Sequence, residues 1–566
     1  MPSTLLTPSR VTLAAAVQAL VLPRLFKESL STTSQLKLIL GIFGANYAAL
    51  FLHFLVIRPF LLSKLRHLPG PRYHLTALPR SMVGRQSPPG EIFIDVMKRY
   101  PSDELILCSI WHDYLLVARP RGLADVLVHR PYDFVKPPNI AGFLRHVLGD
   151  GLIVVEGDQH KFLRKNSLPA FSFRHIKDLY PMIWNKALLL TEALRADAQE
   201  AGTRGYSLAS NNTASSSSPP PSWAHPGTVE LNTWASRATL DIIGVAGLGR
   251  EFNMMKRNED PLMAVYEELL EPTKEKLAFF LATAMLGERA VKVLPWRMNQ
   301  VFKRLTRALA DLCGPMMQEK REAIVKKGDD HFDVLSLLVK SDNFSDKELT
   351  DQLLTYLAAG HETTSSAFSW TSYLLAKHQD IQAALRREVQ DALPQGCAGT
   401  DPATTDIASI LESLPLLNGV INETLRLYPT VPISMREAVR DTVIADHPVP
   451  KGARILLVPW AVNRSPQIWG EDATQFRPER WINVDGDGKP NMHGGAGSNY
   501  HFLTFLHGPR SCIGQGFARA ELRCLLATVV ASFDWTLGMD EDKVVPGGVI
   551  TIKPANGMYV KLRPLE

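Results

Sequence analysis

The chain has few cysteines and no large excess of either charge. Five cysteines occur among 566 residues, and they form no C-x-x-C pair. This scarcity excludes a disulfide framework and a cysteine-based zinc site, and it favours a reducing, cytosol-facing environment. The formal net charge of +5 is small for this length, so the composition does not support nucleic-acid binding. The sequence also has no internal repeat and no flavin or dinucleotide module of its own.

Apolar residues make up 45% of the chain, which is enough for a large core, and one apolar run stands out near the N-terminus. Residues 38–57 contain no full charge and can cross about 30 Å of hydrocarbon as a helix. Pro59 and the Leu-Pro-Gly-Pro segment at 68–71 are expected to end this helix and form a stiff hinge. Basic residues follow the run and place the downstream domain in the cytosol: Arg58, Lys64, Arg66 and Arg72.

The rest of the pattern predicts one domain. We expect residues 1–67 to be a membrane anchor and linker, and 68–566 to be a single catalytic domain. The earlier apolar run at 11–22 is short, so it is either an interfacial segment or half of a membrane hairpin. Ser and Pro runs make 201–227 a low-complexity segment, which predicts a disordered insertion.

Helical periodicity dominates the domain, with short strands near its two ends. Ser345 and Glu348 form a capping box that begins a long helix at 346–377. Further helices are predicted at 411–428 and 515–533, and hairpins at 104–118 and 550–562. The predicted fold class is therefore mainly α with small β-sheets.

The most informative segment runs from 505 to 514 and places Cys512 at the start of a predicted helix. The partial positive charge of a helix N-terminus lowers the pKa of a thiol and favours the thiolate. Gly508 permits a tight turn, Gly514 leaves space for a flat partner, and Arg510 can neutralise an acidic group on that partner. A flat, acidic partner for a single thiolate indicates haem, whose iron accepts cysteine as an axial ligand.

The pattern F-x-x-G-x-R-x-C-x-G resembles the haem-binding loop of the cytochrome P-450 family. Every defined position of that pattern is filled in this chain, by Phe505, Gly508, Arg510, Cys512 and Gly514. The resemblance covers about residues 68–565. It implies the cytochrome P-450 fold, haem b as cofactor and Cys512 as the thiolate ligand of its iron.

Two further segments resemble the family's structural network. Glu423 and Arg426 form an E-x-x-R pair on one helical face. The sequence Pro-Glu-Arg-Trp at 478–481 resembles the family's P-E-R-F segment, with Trp481 in place of phenylalanine. The resemblance assigns Glu423, Arg426 and Arg480 to a buried charge network that supports folding and haem retention.

Residues 359–364 resemble the family's A-G-x-[DE]-T motif, in the helix that crosses the distal face of the haem. Ala358, Ala359 and Gly360 would leave space for oxygen and substrate, and Gly360 would let the helix open and admit water. The resemblance assigns proton delivery to Glu362 and Thr363. The alternative for Thr363 is a hydrogen bond back to its own helix, as is common for a threonine in the middle of a helix.

Weaker matches extend the cofactor site and the substrate region. His160 and Arg164 are similar to a W/H-x-x-x-R helix that holds a haem propionate, and Arg436 matches an arginine that contacts the other propionate. Family position places substrate contacts at 137–148, 276–286, around 358–363, at 431–435, which begins with Val431, and near Val549.

The resemblance implies a membrane-anchored haem-thiolate monooxygenase. It would oxidise a lipophilic small molecule, such as a terpenoid or polyketide of fungal secondary metabolism, with O2 and with electrons from NADPH. The implied partners are NADPH-cytochrome P-450 reductase and cytochrome b5, on the cytosolic side of the endoplasmic reticulum membrane. They would dock at a basic face that consists of Lys161, Arg164, Lys165, Arg519 and Arg523. Three alternatives stay open: a haem-thiolate isomerase or dehydratase, a fatty-acid hydroxylase, and a non-catalytic haem-binding protein.

Overall fold

The computed structural model describes residues 8–565, apart from 26–30, 72–87, 110–112, 205–220, parts of 257–292, 328–332, 483–489, 492 and 549. The described chain is mainly helical, with small sheets, as predicted. Val549 lies outside the described residues, and so does most of the predicted insertion.

Two helices precede the hinge. Helix α1 (Pro8–Leu25) packs against α2 (Thr32–Leu52), which continues as a π-helical stretch over His53–Leu62. Among the described residues, one segment, Thr33–Arg58, is long and apolar enough to cross a membrane. The expectation that Pro59 ends the helix is wrong. The wider π-helical hydrogen bonding accommodates the missing N–H of proline, and the helix ends instead at Ser63, whose N–H reaches the carbonyl of Arg58 at 2.8 Å.

The helices of the domain follow in chain order. They are α3 (Glu91–Arg99), α4 (Pro120–Ala124), α5 (Pro138–Leu148), α6 (Gly157–Ser167), α7 (Phe173–Arg204), α8 (Leu231–Ile243), α9 (Arg297–Lys327), α10 (Val334–Lys340), α11 (Asp346–Lys377), α12 (Gln379–Ala392), α13 (Ile407–Ser413), α14 (Pro415–Leu427), α15 (Pro459–Val462), α16 (Pro466–Trp469) and α17 (Gln515–Ser532).

The strands form a five-stranded sheet and three smaller ones. They are β1 (Leu105–Ser109), β2 (Asp113–Val117), β3 (Phe134–Val135), β4 (Val229–Glu230), β5 (Ser434–Ala438), β6 (Thr442–Ile444), β7 (His447–Val449), β8 (Arg454–Leu457), β9 (Phe533–Leu537), β10 (Pro546–Gly547), β11 (Lys553–Pro554) and β12 (Tyr559–Pro564). The largest sheet has the order β1-β2-β8-β5-β3, so the first hairpin forms as predicted.

Helix α11 is the centre of the core and has the predicted bounds. Its capping box is present, with Ser345 and Glu348 bonding each other's backbone N–H groups. Most of its residues are buried, and it packs against α8, α14 and α17. These helices fix the two faces between which the candidate site lies.

Two predicted elements differ from the structure. The single helix expected at 411–428 is split at Leu414, because Pro415 lacks an N–H and occupies the first turn of α14. The hairpin expected at 550–562 does not form. Strand β11 pairs with β10, while β12 pairs with β4 and β9 and joins a different sheet.

The predicted insertion at 201–227 has described residues only at its flanks. Helix α7 continues to Arg204 on one side. On the other side, Ala224 forms a bridge with Met539, and the N–H of His225 donates to the carbonyl of Gly538 at 2.8 Å. The disorder of the central part stays a prediction.

Candidate haem and active site

A tight turn presents Cys512 ahead of α17. Gly508 has a φ of +72°, and a Cβ atom there would lie 2.0 Å from the carbonyl oxygen of Leu127. Only glycine fits this position, because both the backbone conformation and the close approach exclude a side chain. The N–H of Cys512 donates to the carbonyl of Phe505 at 2.9 Å, which closes the loop between the first residue of the motif and the cysteine.

Opposing effects act on the pKa of the Cys512 thiol. Its side chain is exposed, yet the many protein atoms around it desolvate the thiolate and raise its pKa. The N–H of Gly514 and the charge of Arg164 favour the thiolate without overcoming this effect. The backbone at the helix start therefore favours the thiolate, as the sequence predicts, but the net pKa is raised because desolvation is the larger effect.

Arg164 supports the loop from α6. Its guanidinium donates to the carbonyl oxygen of Ser511 at 2.6 Å and to the Ser511 hydroxyl at 3.1 Å. This arginine therefore holds the residue next to Cys512. A role towards a propionate, expected from the family pattern, is not visible in these contacts.

A cluster of buried cations lies beside the thiolate loop. Arg436 and Arg510 are both buried, and their mutual repulsion adds to desolvation in lowering the pKa of Arg436 to about 10. Desolvation, together with repulsion from Arg510 and Lys136, lowers the pKa of His160 to about 3, so its imidazole is neutral at physiological pH. Desolvation, together with repulsion from Arg436 and Arg510, also lowers the pKa of Lys136 to about 7.

Three residues of this cluster were missed by sequence reasoning: Lys136, Glu156 and Tyr132. Glu156 forms ion pairs with Arg510 and, at 3.8 Å, with Lys136. The hydroxyl of Tyr132 lies 3.3 Å from Nδ1 of His160, and the Arg510 guanidinium lies 5.0 Å from the Tyr132 ring centroid. These three belong to no dense motif, so no local pattern signals them.

The cluster fits an anionic group with two carboxylates. Despite the ion pair with Glu156, the nitrogens Nε, Nη1 and Nη2 of Arg510 are buried without a properly oriented hydrogen-bond acceptor. Arg436 and Arg510 outweigh the single carboxylate of Glu156 by one positive charge, and Lys136 adds a second when it is protonated. Two propionates would neutralise that excess and accept the unused hydrogen bonds. The residues present therefore fit haem.

The structural network behind this loop has a fully buried centre, Glu423 and Arg426, with the partly buried Arg480 at its edge. Both carboxylate oxygens of Glu423 bind the Arg426 guanidinium, at 2.7 and 2.8 Å, and Nε of Arg480 donates to Glu423 at 3.0 Å. The indole N–H of Trp481 adds a bond of 2.9 Å that phenylalanine, the usual residue of the family segment, would lack. The remaining donors of Arg426 bind carbonyl oxygens of Asn463, Ala473 and Gln475.

On the opposite side, α11 has an accessible stretch within an otherwise buried helix. Ala359 is exposed, and Ala358, Gly360, Glu362 and Thr363 are partly buried. The hydroxyl of Thr363 donates to the carbonyl of Ala359 at 2.7 Å, which is the alternative identified from the sequence. The oxygen of that hydroxyl can still accept a hydrogen bond.

Gly360 has a packing role that the sequence did not reveal. Helix α11 is continuous through this residue, so the expected opening of the backbone is not seen. A Cβ atom at Gly360 would lie 2.8 Å from two side-chain carbons of Ile243 in α8. The glycine therefore allows α8 to pack closely against the helix that carries Glu362.

Glu362 has a cationic partner from the C-terminal segment. Nζ of Lys553 lies 3.5 Å from Oε1 of Glu362. The same segment also binds the loop that contains Val431: the N–H of Ile552 donates to the carbonyl of Thr430 at 2.9 Å. The described residues that follow position 549 therefore contact the residue before Val431, whereas Val549 itself is outside the described residues, and its contact with substrate stays a prediction.

The basic face proposed from the sequence is smaller than expected. Lys161 and Lys165 are exposed. Arg519 is buried, with its guanidinium 5.4 Å from the Phe505 ring centroid, and Arg523 binds Asn418, Tyr180 and Glu412. The two arginines therefore stabilise α17 and do not belong to an exposed face.

Comparison with known proteins agrees with this site. The family model for cytochrome P-450 matches residues 68–560. The cytochrome P-450 monooxygenase sphH of Aspergillus fumigatus is 39% identical over 522 residues, covering 91% of each chain. The monooxygenase ptmK of Penicillium ochrochloron is 36% identical, covering 90% of this chain and 96% of its own, and ALT8 of Alternaria alternata is 36% identical over 80% and 81%. The chain belongs to the cytochrome P-450 family and is an oxygen-incorporating oxidoreductase of the monooxygenase type.

Proposed function

We propose that this enzyme binds haem b with Cys512 as the axial thiolate ligand and hydroxylates or otherwise oxidises a lipophilic small molecule. The observation that carries this proposal is the buried cation cluster of Arg436, Arg510 and Lys136 beside the Cys512 turn. When bound, the haem supplies the activation of O2 from which one oxygen atom is inserted into the substrate.

The chain's own residues have separate tasks. The propionates are held by Arg436, Arg510 and Lys136. His160 and Tyr132 lie beside these cations and line the same side of the site. Arg164 keeps the thiolate loop in place through Ser511, and the Glu423 network stabilises the segment behind it.

Proton delivery falls to the partly buried pair Glu362 and Thr363. The carboxylate of Glu362 takes up a proton at its Oε atoms and relays it towards the oxygen of the Thr363 hydroxyl. The hydroxyl releases its own proton into the site after turning it away from the carbonyl of Ala359, so the threonine stays neutral. Lys553 holds the Glu362 carboxylate at the edge of the site, and release of this pair allows the carboxylate to turn inward.

We further propose that the substrate is a terpenoid or polyketide of secondary metabolism, because the chain resembles monooxygenases of filamentous fungi. NADPH-cytochrome P-450 reductase would donate the electrons, with cytochrome b5 as a second donor. The exposed Lys161 and Lys165 would attract an acidic partner protein. Localisation at the cytosolic face of the endoplasmic reticulum follows from the apolar segment Thr33–Arg58 and the basic residues after it.

The test combines a spectrum with turnover. The purified, reduced protein should show the carbon-monoxide Soret band typical of thiolate ligation, and Cys512→Ala should abolish it. Metabolite profiling of cells with and without the chain, followed by turnover of the accumulated compound with reductase and NADPH, should give a product that contains one atom from labelled O2. Persistence of the band in Cys512→Ala would refute the assignment of the ligand.

The main alternative is a haem-thiolate isomerase or dehydratase. Such an enzyme needs neither NADPH nor a reductase, and it has no requirement for the Glu362–Thr363 pair. Turnover without NADPH, with no incorporation of label, would favour this alternative. A fatty-acid hydroxylase would pass every test above and differ only in its substrate.

A further inference from the structure

The N-terminal helices α1 and α2 lie side by side and share hydrogen bonds between their side chains. The hydroxyl oxygens of Thr12 and Tyr47 are 2.7 Å apart. The side-chain amide of Asn46 donates to Oε1 of Gln18, also at 2.7 Å. Six residues separate α1 from α2, so the two helices run antiparallel, as a hairpin.

The polarity of α1 is inverted relative to a helix on the surface of a soluble protein. Val11 and Ala15, four residues apart, are buried against α2, while Leu13, Val17 and Leu20 are 66%, 51% and 62% exposed. Since Thr12 and Gln18 bond α2, polar groups of α1 are directed at its partner and large apolar groups point away. An amphipathic helix at a membrane surface has the opposite need, because its polar face must reach water.

The surface of α2 that faces away from α1 also carries large, exposed apolar side chains. Ile42 and Leu50 are buried towards α1, whereas Leu36, Leu40, Phe51 and Leu52 are exposed. In hydrocarbon, helix pairs associate through small residues and through polar side chains that bond each other. Ala15 and the Asn46–Gln18 bond provide both features, and Asn46 also donates to the carbonyl of Ile42 within its own helix at 2.8 Å.

We propose that α1 enters the bilayer beside α2, so that the anchor is a helical hairpin whose two ends lie on the side of the catalytic domain. Lipid hydrocarbon covers the exposed apolar side chains of both helices, because they form one continuous surface with the segment Thr33–Arg58. The 18 residues of α1 measure about 27 Å, of which the apolar stretch Arg10–Val21 accounts for about 18 Å, so the two ends of α1 would lie in the interfacial layers. Arg10, near the N-terminal end of α1, can reach the interface with its long side chain.

This topology differs from the single span in one measurable respect. With α2 alone as the span and the catalytic domain in the cytosol, the residues before α2 are in the lumen. With the hairpin, the short segment between the helices is lumenal, and residues before α1 return to the cytosol. The proposal concerns the anchor alone, so it is independent of substrate and activity.

Glycosylation reports the topology of the full-length protein in microsomal membranes. We expect an acceptor sequence joined before residue 1 to stay unglycosylated. The same tag should be glycosylated once residues 8–25 are deleted, because α2 then becomes a single span. An acceptor placed in a lengthened 26–30 segment should be glycosylated while α1 is intact.

A charge placed on the lipid-facing side provides a second variant. Val17→Arg should raise the cost of inserting α1 and produce glycosylation of the N-terminal tag, whereas Val17→Leu should leave the tag unmodified. Glycosylation of the N-terminal tag on the unaltered chain would overturn the hairpin. An unmodified tag in the 26–30 segment would also overturn it, since that segment would then not be in the lumen.

Discussion

The indole of Trp481 tests how much a single hydrogen bond to a buried carboxylate contributes to this fold. Five donors converge on Glu423: two from Arg426, one from Arg480, the backbone N–H of Arg477 and the N–H of Trp481. Trp481→Phe removes the last of these and retains an aromatic ring. A hydrogen bond to a charged group contributes about 1.5–3 kcal/mol, and none of it can be recovered from water, because Glu423 and Trp481 are fully buried.

Trp469 supplies a matched control. It belongs to the same small apolar cluster as Trp481, and the two ring centroids lie 6.0 Å apart. Its indole nitrogen is buried without a hydrogen-bond partner. Trp469→Phe therefore reduces the same ring by the same atoms but breaks no hydrogen bond. We expect Trp481→Phe to lower the free energy of unfolding by about 2 kcal/mol more than Trp469→Phe does.

The assay is urea unfolding of the full-length, haem-loaded protein in detergent, followed by far-ultraviolet circular dichroism and by Soret absorbance. Intrinsic fluorescence is unsuitable because each variant replaces a different one of the 10 tryptophans, so the emission signals of the two variants would not be comparable. The two variants should share the slope of the transition and differ in its midpoint, and Trp481→Phe should also lose haem at lower urea. Equal midpoints would refute the reasoning, since the cost would then come from the lost ring volume alone.

The remaining predictions concern three other positions. Burial raises the pKa of Glu521 well above its usual value, so the folded protein holds a proton that the unfolded chain releases, and stability falls as pH rises above about 4.5. Glu521→Gln should flatten this dependence of the unfolding midpoint between about pH 5 and pH 8; an unchanged dependence would show that the group is not protonated in the fold. Gly508→Ala should lose the Soret band at 37 °C, because the methyl group would meet the carbonyl of Leu127. Gly452→Ala, whose φ is +82° and whose surroundings are open, should cost only about 1–2 kcal/mol and retain the band. Thr363→Ala should raise NADPH consumption per product several-fold in a turnover assay, and unchanged coupling would remove the threonine from proton delivery.

The sequence predicted those features that depend on local pattern. The bounds of α11 followed from its capping box, and the turn at Gly508 followed from the need for a positive φ before Cys512. The pairing of Glu423 with Arg426 followed from their spacing on one helical face. Each of these depends on residues within one turn or one motif.

The features that the sequence did not predict depend on distant contacts. Lys136 and Glu156 belong to the cation cluster because separate segments converge on Arg510. The burial of Arg519 depends on the packing of α17, and no periodicity distinguishes it from the exposed Lys161. The sheet assignment of β12 was missed because its partners, β4 and β9, include a strand more than 300 residues earlier.

The bond between Arg164 and Ser511 joins residues 347 positions apart. The loop that contains Cys512 is therefore held in place by α6, which is synthesised long before it. A C-terminal fragment would contain the cysteine but would lack that support. Cofactor capture must then wait until translation is nearly complete. A chain that ended before residue 505 would contain Lys136 and Arg436 but would lack both Arg510 and Cys512, so its cation cluster would be incomplete and it would have no sulfur for the iron.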